Sequence, residues 1–274
     1  MKTAMRKYEF TGETKTLCDG TVLHRIRALI DIDLGWRVVK AGELGGWLEY
    51  ERNLSHYGNC WVYGNAKVYG DAEVFDNAEV YGNVKVWGNA NVCGNSDVYG
   101  NAEVYGNADV YGNAEVYGNA EVYGNAEVCG NAVVCGNAEV CGNAVVCGNA
   151  EVFSGAVVRG NANVCGDAHV FKKDHVLVIG PIGSRSDFTT FMRNKSGEIL
   201  VKCGCFFGTA DEFLTKVQNT HGDSKYTVVY RAAVALAVEQ IDTNPETDSS
   251  ISAINHIADD ARGSWIMQRF TKME

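Results

Sequence analysis

From Val62 to Val170 a valine stands at every sixth position, nineteen times without a gap. The residue two places before it is Ala in 16 of 19 units, with Cys60, Val84 and Ser96 the exceptions. The second residue after it is Gly in 16 units, and the third is Asn in 15. A helix cannot carry this pattern, because a glycine in nearly every unit would cost about 1 kcal/mol per position. A short strand followed by a turn can. Ala and Val then point inward, Glu and Tyr point outward, and Gly-Asn turns the corner, both residues tolerating positive φ. Three such sides close a triangular coil of 18 residues. Nineteen units predict a little over six coils stacked at about 4.8 Å, a rod on the order of 30 Å long.

The pattern of an aliphatic residue with a small residue four places later resembles the hexapeptide-repeat proteins, and it holds almost throughout Val62 to Val170. That resemblance implies a left-handed parallel β-helix and a homotrimer. The same frame runs back more weakly through His56, Tyr50, Leu44 and Val38, which predicts an irregular first coil over 42–62. Residues 1–37, with a strand over 22–32, are expected to cap the solenoid end. The domain plan is thus a cap and first coil over 1–52, the β-helix over 53–171 and a different domain over 172–274.

The formal charge of −10 belongs to the repeat alone. Residues 53–171 hold 13 Asp and Glu against 3 Lys and Arg, while the rest of the chain holds 21 of each sign. An acidic array disfavours direct nucleic-acid binding. No apolar run approaches the length of a membrane span. The opening residues lack the apolar stretch of a secretory signal, and ten cysteines without one point to reduced thiols and a cytoplasmic protein.

Residues 18 apart share a ladder. Tyr63, Tyr81, Tyr99 and Tyr117 lead into Cys135, Phe153 and Phe171; Tyr69, Trp87, Tyr105 and Tyr123 lead into Cys141 and Arg159. A third ladder holds Phe75, Cys93, Tyr111, Cys129, Cys147 and Cys165. Carboxylates run beside them, Glu103, Glu121 and Glu139 on one face and Glu115 on another, repelling unless cations or a basic partner offset them. Tyr99, Tyr105, Tyr117, Tyr123, Glu103, Glu115, Glu121 and Glu139 are the candidate binding face. Later units carry Val133, Val145 and Val157 in place of Glu. With Cys135, Cys141 and Cys147 they predict a buried oligomer or domain contact.

After Lys172 the pattern stops. Strands are expected over 175–179, 188–192 and 199–207, a turn at 180–183 and a hairpin at 194–197. Thr209 with Asp211 and Glu212 starts a helix to about Asn219, and a second, apolar nearly all round and therefore expected to be buried, covers 225–240. A polar loop near Pro245 and a final helix from Ile251 complete an α+β domain. The segments GELGGW, VYGNAE, HVLVIGPIGSRSDFTTF, VKCGCFFGTADEF and THGDSKY together resemble bacteriophage and prophage hexapeptide-repeat proteins of an acyltransferase-like type. That resemblance implies origin and fold rather than a reaction.

Several groups are candidates for chemistry, each with a bland alternative. His56 and His169 end the array, with His169 expected on the surface, where a histidine beside a carboxylate is a general-base candidate. Absence of histidine between Gly58 and Asp167 excludes a three-histidine zinc site of the γ-carbonic anhydrase kind. The Cys129, Cys147 and Cys165 ladder puts sulfurs in line rather than in a tetrahedron and reads as packing; no metal site is expected. Cys203 and Cys205, both expected on one strand face, with His221 and His175, are candidates for local chemistry or for core packing. Gly183, Ser184 and Arg185 are an anion-binding candidate without the lysine of a P-loop, or an ordinary turn.

Three functions suit this sequence. The favoured one is a non-catalytic phage-type protein whose acidic, Tyr-lined scaffold engages a host protein, as a partial nucleic-acid mimic or anti-defence inhibitor, without a cofactor. The second is an acyl-CoA-dependent transferase, and the third a nucleotide or small-anion binder using the C-terminal domain.

Overall fold

The computed structural model describes residues 6–244, and the chain forms two compact units, Met1–Asn131 and Ala132–Glu274. The expected loop at Pro245 and helix from Ile251 lie outside the described residues.

In the first unit, strands Tyr8–Thr16 and Val22–Ala28 pair antiparallel, and Leu44–Leu48 adds to the second of them. Leu44–Leu48 then pairs in parallel with Lys67–Val68, so the capping ribbon runs straight into the solenoid. From Trp61–Val62 to Glu127–Val128 the chain makes two-residue strands, and those from Trp61–Val62 to Asp109–Val110 each pair in parallel with the strand 18 residues on. Valine stacks on valine, as in Val86 on Val104, and the inward Val and Ala side chains have 0% exposure. The predicted parallel β-solenoid is therefore present, built on the predicted residues.

The corner chemistry is more specific than tolerance of positive φ by two residue types. Glycine alone carries it as a rule: Gly106 has φ +77°, and a Cβ there would lie 2.9 Å from the backbone N of Gly124 in the next coil. Asp76 occupies a glycine position at φ 58°, whereas no asparagine has positive φ among the described residues. Asparagine serves differently. Asn89 Nδ2 donates to Asn107 Oδ1 at 2.9 Å and Asn107 to Asn125 at 2.8 Å, an amide ladder along the corner.

The backward extension of the frame is off by two residues. Leu48 pairs with Val68 and Leu54 with Val74, so these leucines, at 0% and 1% exposure, hold the inward positions rather than Tyr50 and His56. After the 3-10 turn at Glu51–Asn53, the loop over 55–60 makes the step from Leu54 to Val62 eight residues instead of six. Lys7, only 1% exposed, closes this irregular end: its Nζ donates to the carbonyl of Cys60 at 2.8 Å and lies 3.1 Å from Cys60 Sγ. Burial lowers the lysine's pKa and raises that of the thiol. His56 packs on the Tyr8 ring at 4.4 Å.

The second unit contains the strands from Val133–Val134 to His169–Val170 and the α+β region. Strands Val176–Ile182, Asp187–Arg193, Ile199–Cys203 and Phe206–Thr209 form one antiparallel sheet in chain order. Asp187–Arg193 lies against the last rungs: Ala168 bridges Asn194, and the backbone N of Asn163 donates to Thr190 Oγ1 at 2.9 Å. That contact covers an otherwise open solenoid end. Helices α1 (Ala210–His221) and α2 (Lys225–Gln240) pack on the sheet around Phe191, Val201, Phe213, Val217, Tyr230 and Val234.

Three local expectations are corrected. The turn falls at 183–186, not 180–183, since residues 176–182 remain a strand. The expected 199–207 strand is broken by a two-residue turn, Gly204-Cys205, because Gly204 has φ +56° and Cys203 pairs with Phe206. Helix α2 is buried on one side only: Val228 is 66% and Leu236 50% exposed, because the sheet and α1 meet the opposite face.

Candidate functional site

The cleft of the C-terminal region is built by three short segments. Gly183 has φ +72° and Ser186 φ +50°, which fold the 183–186 turn back on itself. A side chain at Gly183 would overlap the Tyr230 hydroxyl, so helix α2 fixes this turn through glycine. The turn carries Ser184 and Arg185. The second segment is the Gly204-Cys205 hairpin turn, over which Arg185 lies; a Cβ at Gly204 would be 2.9 Å from Arg185 Nη1.

The third segment is α1. Thr209 Oγ1 accepts from the Glu212 backbone N, and Glu212 reciprocates by accepting from the Thr209 N at 2.8 Å. This capping box fixes where the helix begins. From that start, Phe213, Lys216 and Thr220 fall at helical spacing on one side.

The three segments enclose a cavity of about 180 Å³ lined by Ser184, Arg185, Cys203, Cys205, Lys216 and His221, with Phe206, Phe213 and Tyr230 as an aromatic floor. Phe213 meets Phe206 at 5.2 Å and Tyr230 edge-on at 5.2 Å, a rigid apolar base. The Cys203 thiol is 3.8 Å from the Tyr230 hydroxyl and accepts from Thr189 Oγ1 at 3.3 Å. Burial first, and the Cys203 sulfur second, push the Tyr230 phenol up to about 12, so it stays protonated and able to donate. Arg185 and Lys216 supply two cations beside an apolar floor, a combination that holds an anion attached to something less polar.

Of the sequence candidates, Ser184, Arg185, Cys203, Cys205 and His221 meet here. Gly183 contributes by admitting Tyr230. Cys205 reaches the cavity from a turn rather than from a shared strand face, since Gly204 ends the strand. His175 lies elsewhere, 1% exposed, with its Nδ1 accepting from the Phe171 N and its ring against Phe171. Burial and then Arg193 hold its imidazole down to about 4.

His169 is not a surface residue. It is 5% exposed, with Nδ1 3.0 Å from Glu151 Oε2 and its ring between Phe153 and Phe171. Its sequence position is an outward one, but two aromatic neighbours cover it. The histidine lowers the Glu151 carboxyl's pKa.

The tyrosine face also divides. Tyr99 and Tyr117 are 3% and 6% exposed in a ring stack with centroids 4.7 Å apart, so they belong to the packing and not to an open binding face. Tyr105 and Tyr123 are half-buried and stack at 4.9 Å. Their neighbours' carboxylates are held by hydroxyls: Tyr99 donates to Glu115 at 3.2 Å and Tyr105 to Glu121 at 3.1 Å. Glu121 is exposed, and Glu103, Glu115 and Glu139 are half-buried. Lys85 pairs with Glu103 at 2.7 Å.

In the second unit, Val133, Val145, Val157, Cys141 and Cys147 are half-buried and Cys135 is buried. Among the described residues no three His, Cys, Asp or Glu side chains converge as a metal site, and no helix is long and apolar enough to cross a membrane.

Lys216, Tyr230 and the phenylalanine floor were not foreseen. The one signal that reaches Lys216 is its spacing from Phe213 on a capped helix; Tyr230 meets Gly183 across 47 residues of sequence, which no local pattern encodes. No protein-family model matches the chain, and no curated protein sequence matches it. What the site does must therefore be read from its own geometry.

Proposed function

We propose that the chain is a binding protein whose C-terminal cleft takes a small phosphate- or carboxylate-bearing molecule, with the solenoid as its carrier. The observation that supports this reading is the meeting of Arg185, from the 183–186 turn, with Lys216 and His221, from α1, around one aromatic-floored cavity. Charge-assisted hydrogen bonds contribute up to about 1.5–3 kcal/mol each, and less where, as at Arg185 and Lys216, the cation is exposed. Calorimetric titration with inorganic phosphate and with phosphate esters tests it: binding is expected, and Arg185→Ala should weaken it by about tenfold or more. No heat with any such ligand, or wild-type affinity in Arg185→Ala, overturns the reading.

A second reading is favoured by the fixed carboxylates of the first unit. Tyrosine hydroxyls hold Glu115, Glu121 and Glu127 at regular spacing, which suits an acidic face for a basic host protein, a partial nucleic-acid mimic of the anti-defence kind. A phage origin and a trimer belong to this proposal through the family resemblance, and a cytoplasmic location through the ten cysteines. Capture from nuclease-treated lysate, eluted with rising salt, tests it; recovery of the protein alone sinks it. Acyl transfer finds less support, since His169 is enclosed by two rings and does not line the cleft.

A further inference from the structure

A second cavity adjoins the first and narrows the class of anion. Resting on the anion-binding reading, we infer that the two cavities form one bipartite site for a nucleoside phosphate: the ring on the aromatic floor, the phosphate at Arg185 and Lys216, and the sugar hydroxyls in a polar lobe completed by the last solenoid coil.

The second cavity measures about 440 Å³ and is lined by Asn161, Asn163, Asp187, Thr190, Lys202 and Gly204, with Phe188. Asp187 and Gly204 also line the first, so the two meet at that point. Their chemistry is opposite. The first lobe has a floor of Phe206, Phe213 and Tyr230, while the second presents amides, a hydroxyl, a carboxylate and an ammonium.

Size separates the roles. The first lobe's 180 Å³ is close to the roughly 150 Å³ of a cavity that takes one benzene ring. That is room for one ring system and not for a whole nucleotide, so the phosphate meets Arg185 and Lys216 at the exposed rim and the sugar must lie outside the lobe. The polar lobe is the adjoining space. Bases stack on aromatic side chains with little regard to identity, and half-buried Phe206 is the ring of this floor open to one, since Phe213 and Tyr230 are 3% and 5% exposed.

Two residues point to hydroxyl groups in particular. Asn163 lines the polar lobe and leaves its Oδ1 buried without a hydrogen-bond partner. A buried acceptor left unmade is costly, and a ligand hydroxyl donating to it removes that cost. Asp187 stands where the lobes join, with one carboxylate oxygen accepting from the Phe188 N at 2.7 Å. A carboxylate repels phosphate but accepts from hydroxyls, so it favours a ligand whose phosphate lies toward Arg185 and whose sugar lies toward Asn163.

Asn163 also offers a clean test. Its partner one coil earlier is Val145, and Val133 and Val157 occupy the same place in their units. Asn163→Val therefore restores a residue the solenoid already accepts. With the full chain, adenosine monophosphate, adenosine and inorganic phosphate are titrated by calorimetry. Adenosine monophosphate is expected to bind at least about tenfold more tightly than phosphate, and Asn163→Val to weaken the nucleotide about tenfold while leaving phosphate unchanged. Lys202→Ala, in the same lobe, should act in the same direction and provides a second variant if the first misfolds. Arg185→Ala should weaken both nucleotide and phosphate. Equal affinity for nucleotide and phosphate, or an unchanged nucleotide affinity in both lobe variants, overturns the bipartite site and leaves the anion reading standing. Binding of neither probe removes both.

Discussion

The solenoid coils of the first unit and the α+β region of the second solve the same problem of burying a chain in opposite ways. In the coils a residue meets its own kind: Val on Val, Tyr on Tyr, Asn on Asn, Gly on Gly. In the α+β region Gly183 meets Tyr230, Arg185 lies over Gly204, and Thr189 bonds Cys203, each pairing used once. Translation gives stability cheaply because a single solution is repeated. It also gives every rung nearly the same chemistry. The varied cluster of cations, thiols and rings arises only where the repeat has ended.

The sharpest way to break the comparison is at a shared-type residue. Gly106→Ala adds a methyl against the next coil at φ +77° and should cost about 2–4 kcal/mol, read as a fall in the urea midpoint. Gly160→Ala, at a corner with φ +70° and nothing within 4 Å of its Cβ, should cost less, about 1–2 kcal/mol. Equal losses would show that coil-to-coil contact adds nothing at the corner.

A pH effect belongs to the α+β side. His175 has a native pKa of about 4 against an ordinary 6.5, so the unfolded chain takes up the proton first. Its contribution is complete above about pH 6.5 and is lost as the pH falls towards 4, up to about 3 kcal/mol in all. Denaturation across that window, with the His175 ring followed by NMR, checks both size and source. A ring titrating near 6.5 in the native protein contradicts it.

Smaller effects test the ladders. Asn107→Ala removes two amide hydrogen bonds at an exposed corner and should cost about 1 kcal/mol, whereas Tyr105→Phe loses one bond to exposed Glu121 and should cost about 0.5 kcal/mol. A larger loss for the tyrosine would mean that the hydroxyl–carboxylate bonds, rather than the amides, hold the coils in line.

Much of the solenoid was legible because its long-range contacts are copied into a local period: Val86 and Val104 are far apart in sequence, but every sixth residue announces them. Where the period fades the signal fails. Nothing in 49–61 marks the two extra residues that shift the inward frame to Leu54 and Leu48. In the α+β region the individual residues Arg185, Ser184, Cys203, Cys205 and His221 were visible as chemistry, but their meeting depends on a turn at 183–186 and a helix face that no repeat encodes. The burial of Tyr99, Tyr117 and His169 was missed because alternation along a strand predicts side but not cover.

The Gly-Asn corner also has a genetic consequence. Within the uniform coils of the first unit, loss or gain of 18 residues returns each downstream side chain to the ladder it occupied before. A change of six or twelve turns every face onto another; a loss of six, for example, sets Tyr117 against Cys93. A gene with this repeat can therefore alter its copy number in steps of three units and still encode the same faces, with the Leu54–Val62 irregularity left in place to mark where counting starts.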